Sequence, residues 1–418
     1  MPEEPAAGSN QPALKTLPLV QREVVLFFVL CAIAVVMFLV TRTMAEWSRQ
    51  NNSETAAAWY ARGQQRLAAG DLQGGVTALR RAFAMNRTNV EYVLALARGL
   101  TLGGPNEEAW QLLQGLRESQ PEDTEINYRL AGLAAERGEY ADAVRYYNHA
   151  LFGLDAAPVP SEGPAPVAAT GAPKDATAGS EPGASAAAPP AGRPPVTRSM
   201  ILTDLATLQL SHGDIEEALS TLATLARVSD GDPAARVRVG QLFAMAGDQQ
   251  QALSNFTIAI GQDASNVDAQ LGAADAAFSL GRFTESLRHL VAAERAGATG
   301  TPFEERLALV DRVVDSDPLA PALGMTERVR RLTAGLDWAA ARFDHCAEQP
   351  NTTLPDETRK EIEALRKRPR QELRDTDVLT EGVTLIGASR AVVAGPCPTT
   401  DVADTAWATI ARARGASR

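Results

Sequence analysis

Six glycines fall at the fifteenth place of six frames of thirty-four residues, and this spacing confines most of the chain to a stack of like units. The frames open at Ala56, Val90, Thr124, Ser199, Pro233 and Val267, and the glycines are Gly70, Gly104, Gly138, Gly213, Gly247 and Gly281. Glycine is 32 of 418 residues, so five coincidences after the first would arise by chance about three times in a million. The period is therefore a property of the fold.

The other columns say what each unit is made of. Place eight is small throughout (Gly63, Ala97, Ala131, Ala206, Gly240, Ala274), as is place twenty (Gly75, Ala109, Ala143, Ala218, Ala252, Ser286). Place twenty-four is large and apolar or aromatic (Leu79, Leu113, Tyr147, Leu222, Phe256, Leu290). Small residues let two helices approach and large ones fill the space beside them. The glycine between can end the first helix in the left-handed conformation, and Asp71, Asp214 or Asp248 just after it can cap the second.

This pattern resembles the tetratricopeptide repeat, a helix-turn-helix unit of the same period. The resemblance covers 56–157 and 199–300, and Trp59 and Pro121 stand where that family keeps an aromatic and a late proline. Arg62 departs from it at place seven, where an apolar residue is usual. The resemblance implies an all-α solenoid, and the equal split around the segment between the third and fourth frames favours two blocks of three repeats over one six-repeat superhelix with an excursion. The resemblance also implies a groove lined by places two, five, nine and twelve of each first helix, which receives a peptide or partner helix. Those places bring Tyr60, Gln64, Leu67, Glu91, Leu94, Arg98, Glu125 and Tyr128 to the first block, and Val237, Gln241, Leu271, Asp275 and Phe278 to the second. The mixture of aromatic, aliphatic and a few charged side chains suits a peptide segment. It does not suit the version of the family that clamps a terminal carboxylate with basic and amide residues, because those places hold Tyr60, Gln64, Ala95, Glu125 and Arg129.

Outside the repeats, residues 1–23 are polar and read as a disordered tail on the cytoplasmic side. Residues 24–40 are seventeen consecutive apolar residues bounded by Arg22 and Arg42. With Thr41 they read as one transmembrane helix, 24–41, preceding the solenoid. Lys15 and Arg22 before the run are matched by Arg42 and Arg49 after it. Orientation therefore turns on the short head and long body, which place the amino terminus in the cytoplasm and the repeats in the periplasm of a bacterial inner membrane. The alternative keeps the anchor and turns the body to the cytoplasm. Asn51, Asn52 and Ser53 then interrupt the helix, with Ser53 capping the first repeat. Residues 158–198, rich in alanine, proline and glycine, read as a disordered linker.

Residues 301–418 continue helical patterns without the frame: 303–314 as a cap on the sixth repeat, then 325–346, a charged stretch 359–374, an apolar helix 378–393 and a last helix after the turn at Pro396. Cys346 and Cys397 fall in this region while the repeats have no cysteine. Their even number in an oxidising compartment permits a disulfide, the alternative being two buried thiols.

Composition excludes several functions. The net charge of −11 argues against a general nucleic-acid binder. Only four histidines occur, three of them at unmatched places of different repeats, so no metal or acid–base cluster is expected. Signatures for phosphate, dinucleotide, nucleophile and paired-histidine zinc sites are absent. The expected function is thus a non-enzymatic scaffold anchored in the cell envelope, without cofactor, metal, nucleic acid or small-molecule substrate. The remaining alternative is an enzyme with its site in 301–418.

Overall fold

A computed structural model describes residues 19–103, 107–156, 196–229, 231–350 and 352–415. All regular structure among them is helical. The chain divides into two units, Met1–Pro194 and Pro195–Arg418.

The first unit holds α1 (Leu19–Ala68), α2 (Leu72–Met85), α3 (Val90–Thr101), α4 (Glu107–Ser119), α5 (Thr124–Glu136) and α6 (Tyr140–Ala156). The pairs α1/α2, α3/α4 and α5/α6 are three helical hairpins. Gly70 and Gly138 close two of them at φ 81° and 75°, a conformation in which a Cβ would clash with the backbone. Gly104 lies outside the described residues. Asp71 accepts the Gly74 N–H at 2.9 Å and so caps α2. Gly63 lets the side chain of Leu79 close on the α1 backbone. Arg62, the departure at place seven, lies over the Trp59 ring at 4.6 Å, and Arg81 of α2 covers the same indole at 4.4 Å. Its alkyl stem and guanidinium together do the covering that an apolar side chain would otherwise do.

Two expectations about α1 are corrected. The helix runs unbroken through residues 51–53, so Ser53 is not a cap. The weak helix propensity of Asn and Ser, about 0.5 kcal/mol each, does not break a helix supported on both sides. Second, no helix among the described residues is long and apolar enough to cross a membrane. Residues 27–28 and 30–40 are exposed. The single-pass span at 24–41, the inner-membrane location with a cytoplasmic amino terminus and periplasmic body, and the bilayer contact are not supported. The expected tail, except for residues 19–23 at the start of α1, and the expected linker up to residue 195 lie outside the described residues.

The second unit begins with α7 (Arg198–His212), α8 (Ile215–Val228), α9 (Pro233–Met245), α10 (Gln249–Gln262), α11 (Val267–Ser279) and α12 (Phe283–Arg295). These form three more hairpins, turned by Gly213, Gly247 and Gly281 at φ 95°, 85° and 70°. Thr197 caps α7 through the Met200 N–H at 3.2 Å, and Asp248 caps α10 through Gln251 at 3.0 Å. Asp214 makes no side-chain cap; its carboxylate instead faces Nδ1 of His212 at 3.3 Å. The ring of Phe256 fills the space left by Gly240 and Gly272, where an added Cβ would overlap it.

The unit continues through α13 (Thr301–Ser316), α14 (Met325–Ala347), α15 (Asp356–Arg366), a 3-10 turn (Glu372–Arg374), α16 (Thr376–Ala394) and α17 (Val402–Gly415). Val310 of α13 packs with Ala274 and Leu290 of the sixth hairpin. Val313, on the next turn, joins a second core with Leu332, Leu336, Ile386, Trp407 and Ile410. The carboxyl-terminal helices thus cover the end of the solenoid and bury an apolar face that a terminal repeat would expose. Trp338 and Trp407 stack at 6.4 Å within this core. The sulfur atoms of Cys346 and Cys397 meet, with Cα atoms 5.8 Å apart, beside Phe343 and Val393.

Candidate binding surface on the first helices of the repeats

In the second unit Val237 is the one buried groove position; Leu271 and Phe278 are half-buried and Asp275 and Gln241 exposed, and all but Gln241 engage the chain's own packing or ion pairs. Val237 is 6% exposed. Leu271 packs on the cluster of Ala274, Leu290 and Val310. Phe278 lies 5.4 Å from Phe283 and packs on the cluster that includes Trp407. Asp275 is ion-paired with Arg306 of α13. Gln241 remains exposed.

In the first unit every one of these positions keeps some exposure. Tyr60, Gln64, Leu67, Leu94, Arg98, Glu125 and Tyr128 are half-buried and Glu91 is exposed. Tyr60 and Tyr92 pair at 5.1 Å between α1 and α3. Burial, and then the neighbouring Glu91 carboxylate, push the Tyr92 phenol above its ordinary range. Tyr128 meets Tyr147 at 6.1 Å, and Glu125 pairs with Arg129 at 2.6 Å. Leu67 points inward and touches the space beside Gly75 and Gly99, so it contributes more to packing than to a surface.

Buried polar contacts between helices are a feature that the column pattern did not reveal. Arg236 donates to Oδ1 of Asn255 at 2.9 Å, and Nδ1 of His289 stands 2.8 Å from Oε1 of Gln270. Both contacts join place four of the first helix to place twenty-three of the second. A polar residue recurring at place four in successive repeats was the available signal. Burial, then Arg288, lower the His289 pKa, and Glu285 opposes them. Glu327 is held at about 2, first by its hydrogen bond with Arg330 and then by that with Arg331.

No group of three or more His, Cys, Asp or Glu able to hold a metal ion occurs among the described residues. A cleft of about 420 Å³ between α15 and α16 is lined by Leu365, Leu385, Arg368 and Glu381. Arg368 and Glu381 are ion-paired across it at 3.5 Å, and Glu361 and Thr384 complete its polar lining.

The profile of the tetratricopeptide repeat family matches residues 94–159, 203–254 and 246–301. No curated protein matches the sequence. Among solved structures, a tetratricopeptide repeat protein from Parabacteroides merdae is 13% identical, with 80% of this chain and 99% of that one covered at a TM-score of 0.40. Pseudomonas aeruginosa pilF is 13% identical, with 62% and 99% covered at 0.41. YrrB, described as having an unusual peptide-binding site, is 16% identical, with 53% and 93% covered at 0.36. At such scores none of these likenesses bears on what the chain binds. The profile matches identify tetratricopeptide repeats at residues 94–159 and 203–301, where the described residues form the helical hairpins and glycine turns that such repeats consist of.

Proposed function

We propose that the protein is a non-catalytic scaffold whose first unit binds a peptide or helical segment of a partner protein. One observation carries this reading: no groove position of the first unit is buried, while in the second Val237 is buried and Leu271, Phe278 and Asp275 are engaged by α13 and the carboxyl-terminal helices. Exposed aromatic and aliphatic side chains beside a few charges are what a partner segment needs for anchoring.

The test is a photo-crosslinking amino acid placed at Leu94 or Tyr128 in one pair of variants and at Phe278 in another, each in the full chain in its native cells. Discrete adducts from 94 and 128, with none from 278, support the reading. Adducts from 278 alone, or none from any position, overturn it.

A further inference from the structure

Charged side chains at the groove positions differ in how they are satisfied. Glu125 is neutralised by Arg129 at 2.6 Å and Asp275 by Arg306. Glu91 and Arg98 have no ion-pair or side-chain hydrogen-bond partner among the described residues. Both lie on α3, with Leu94 between them, at spacings of three and four residues. These spacings put all three on one face, with about 10.5 Å of rise from the first to the last. The face reads acid, apolar, base from the amino to the carboxyl end.

Arg98 and Leu94 are half-buried and Glu91 is exposed. A guanidinium that has lost part of its water without gaining a counter-charge makes a stronger site for a carboxylate than a fully solvated one. The same stripe on a partner helix, turned end for end, is complementary at all three points: its acid meets Arg98, its base meets Glu91, and the apolar residues meet in the middle. On the antiparallel partner the spacings are four and then three, and because the rise per residue is the same on both helices the register then holds along the stripe.

Resting on the reading of the first unit as the binding unit, we propose that α3 receives an amphipathic helix running antiparallel to it. That helix carries Asp or Glu at one position, an aliphatic residue four positions later and Lys or Arg seven positions later. The order acid before base is the one the helix dipole stabilises, so the antiparallel partner carries its recognition charges without strain on its own helix. A parallel partner would need the reverse order.

The test uses the full chain and three labelled alanine-rich helical peptides, followed by fluorescence anisotropy: one with the core Glu-Ala-Ala-Ala-Leu-Ala-Ala-Lys, one with Gln in place of both charged residues, and one with the core Lys-Ala-Ala-Leu-Ala-Ala-Ala-Glu, which can pair with Glu91 and Arg98 only in parallel. The first should bind about tenfold more tightly than the second, a difference of two partly exposed charge pairs. The double variant Glu91→Gln, Arg98→Gln, whose fold is checked by circular dichroism, should abolish that preference. Equal binding of the first two peptides to the parent chain overturns the charge readout and leaves the groove in place, and binding of the third as tight as the first overturns the antiparallel direction. Failure of the first peptide to bind overturns the proposal, and the crosslinking result tells independently whether the groove reading falls with it.

Discussion

Nη2 of Arg414 lies 2.7 Å from Oδ2 of Asp317, which joins the last turn of α17 to the residue that ends α13 across 97 positions of sequence. Asp317 is 1% exposed, and its other oxygen accepts the Leu319 N–H at 2.9 Å. The Arg414 guanidinium also lies 5.4 Å from the Phe283 ring centre. Arg414→Ala should cost about 2–4 kcal/mol in urea unfolding, because a buried carboxylate loses its counter-charge. Asp317→Asn added to that variant should recover part of the loss. A cost under about 0.5 kcal/mol for the single change would mean that water replaces the guanidinium without penalty.

Gly272→Ala and Gly240→Ala each place a methyl group against the Phe256 ring. Overpacking at a site this tight should cost about 1–3 kcal/mol. Phe256→Leu, costly alone, should be less so in combination with either. Thermal unfolding of the singles and doubles measures the coupling, and strictly additive effects would show that the ring and the glycines do not constrain each other.

His289 makes stability depend on pH in a definite direction. It is 7% exposed, its Nε2 has no hydrogen-bond partner among the described residues, and Gln270, Arg288 and Glu285 are the polar groups acting on it. Its folded pKa is lowered from 6.5, so below that value the unfolded chain takes up a proton that the folded one resists. Stability should be unaffected by this residue above neutrality and should fall as pH drops through the interval beneath 6.5. The melting temperature followed from pH 8 to about 5 should show a smaller decline in His289→Gln than in the parent. An identical decline in both would assign the effect elsewhere.

Cys346 and Cys397 close a loop with a sequence separation of 51. If they are bonded in the protein as it is made, denaturing thiol titration without reductant should find only Cys31 reactive. Reduction should then lower stability by about 4 kcal/mol in the chain-entropy picture. Three reactive thiols would show that the pair is not oxidised.

The repeat, its period and its turns were legible in the sequence because they are local. A glycine at φ 70–95°, a small residue beneath a large one and an aspartate ahead of a helix act within a few tens of residues, and they recur. Asp214 marks the limit of that reading, since the residue suited to cap α8 turns to His212 instead. The stretch 24–40 marks another: an apolar run suggested a span that no described helix is long and apolar enough to make.

Position on the first helix named the groove residues without saying which of them would be free to bind. That was decided by contacts far apart in the chain. Phe278 is drawn into a core shared with Trp407, and Asp275 into a pair with Arg306, while Glu91 and Arg98 keep their charges unmatched. The frame of the repeats depends on chemistry that is the same in every unit. Which surface stays open depends on what the carboxyl-terminal helices cover, and burial of that kind is set only when distant parts of the chain come together.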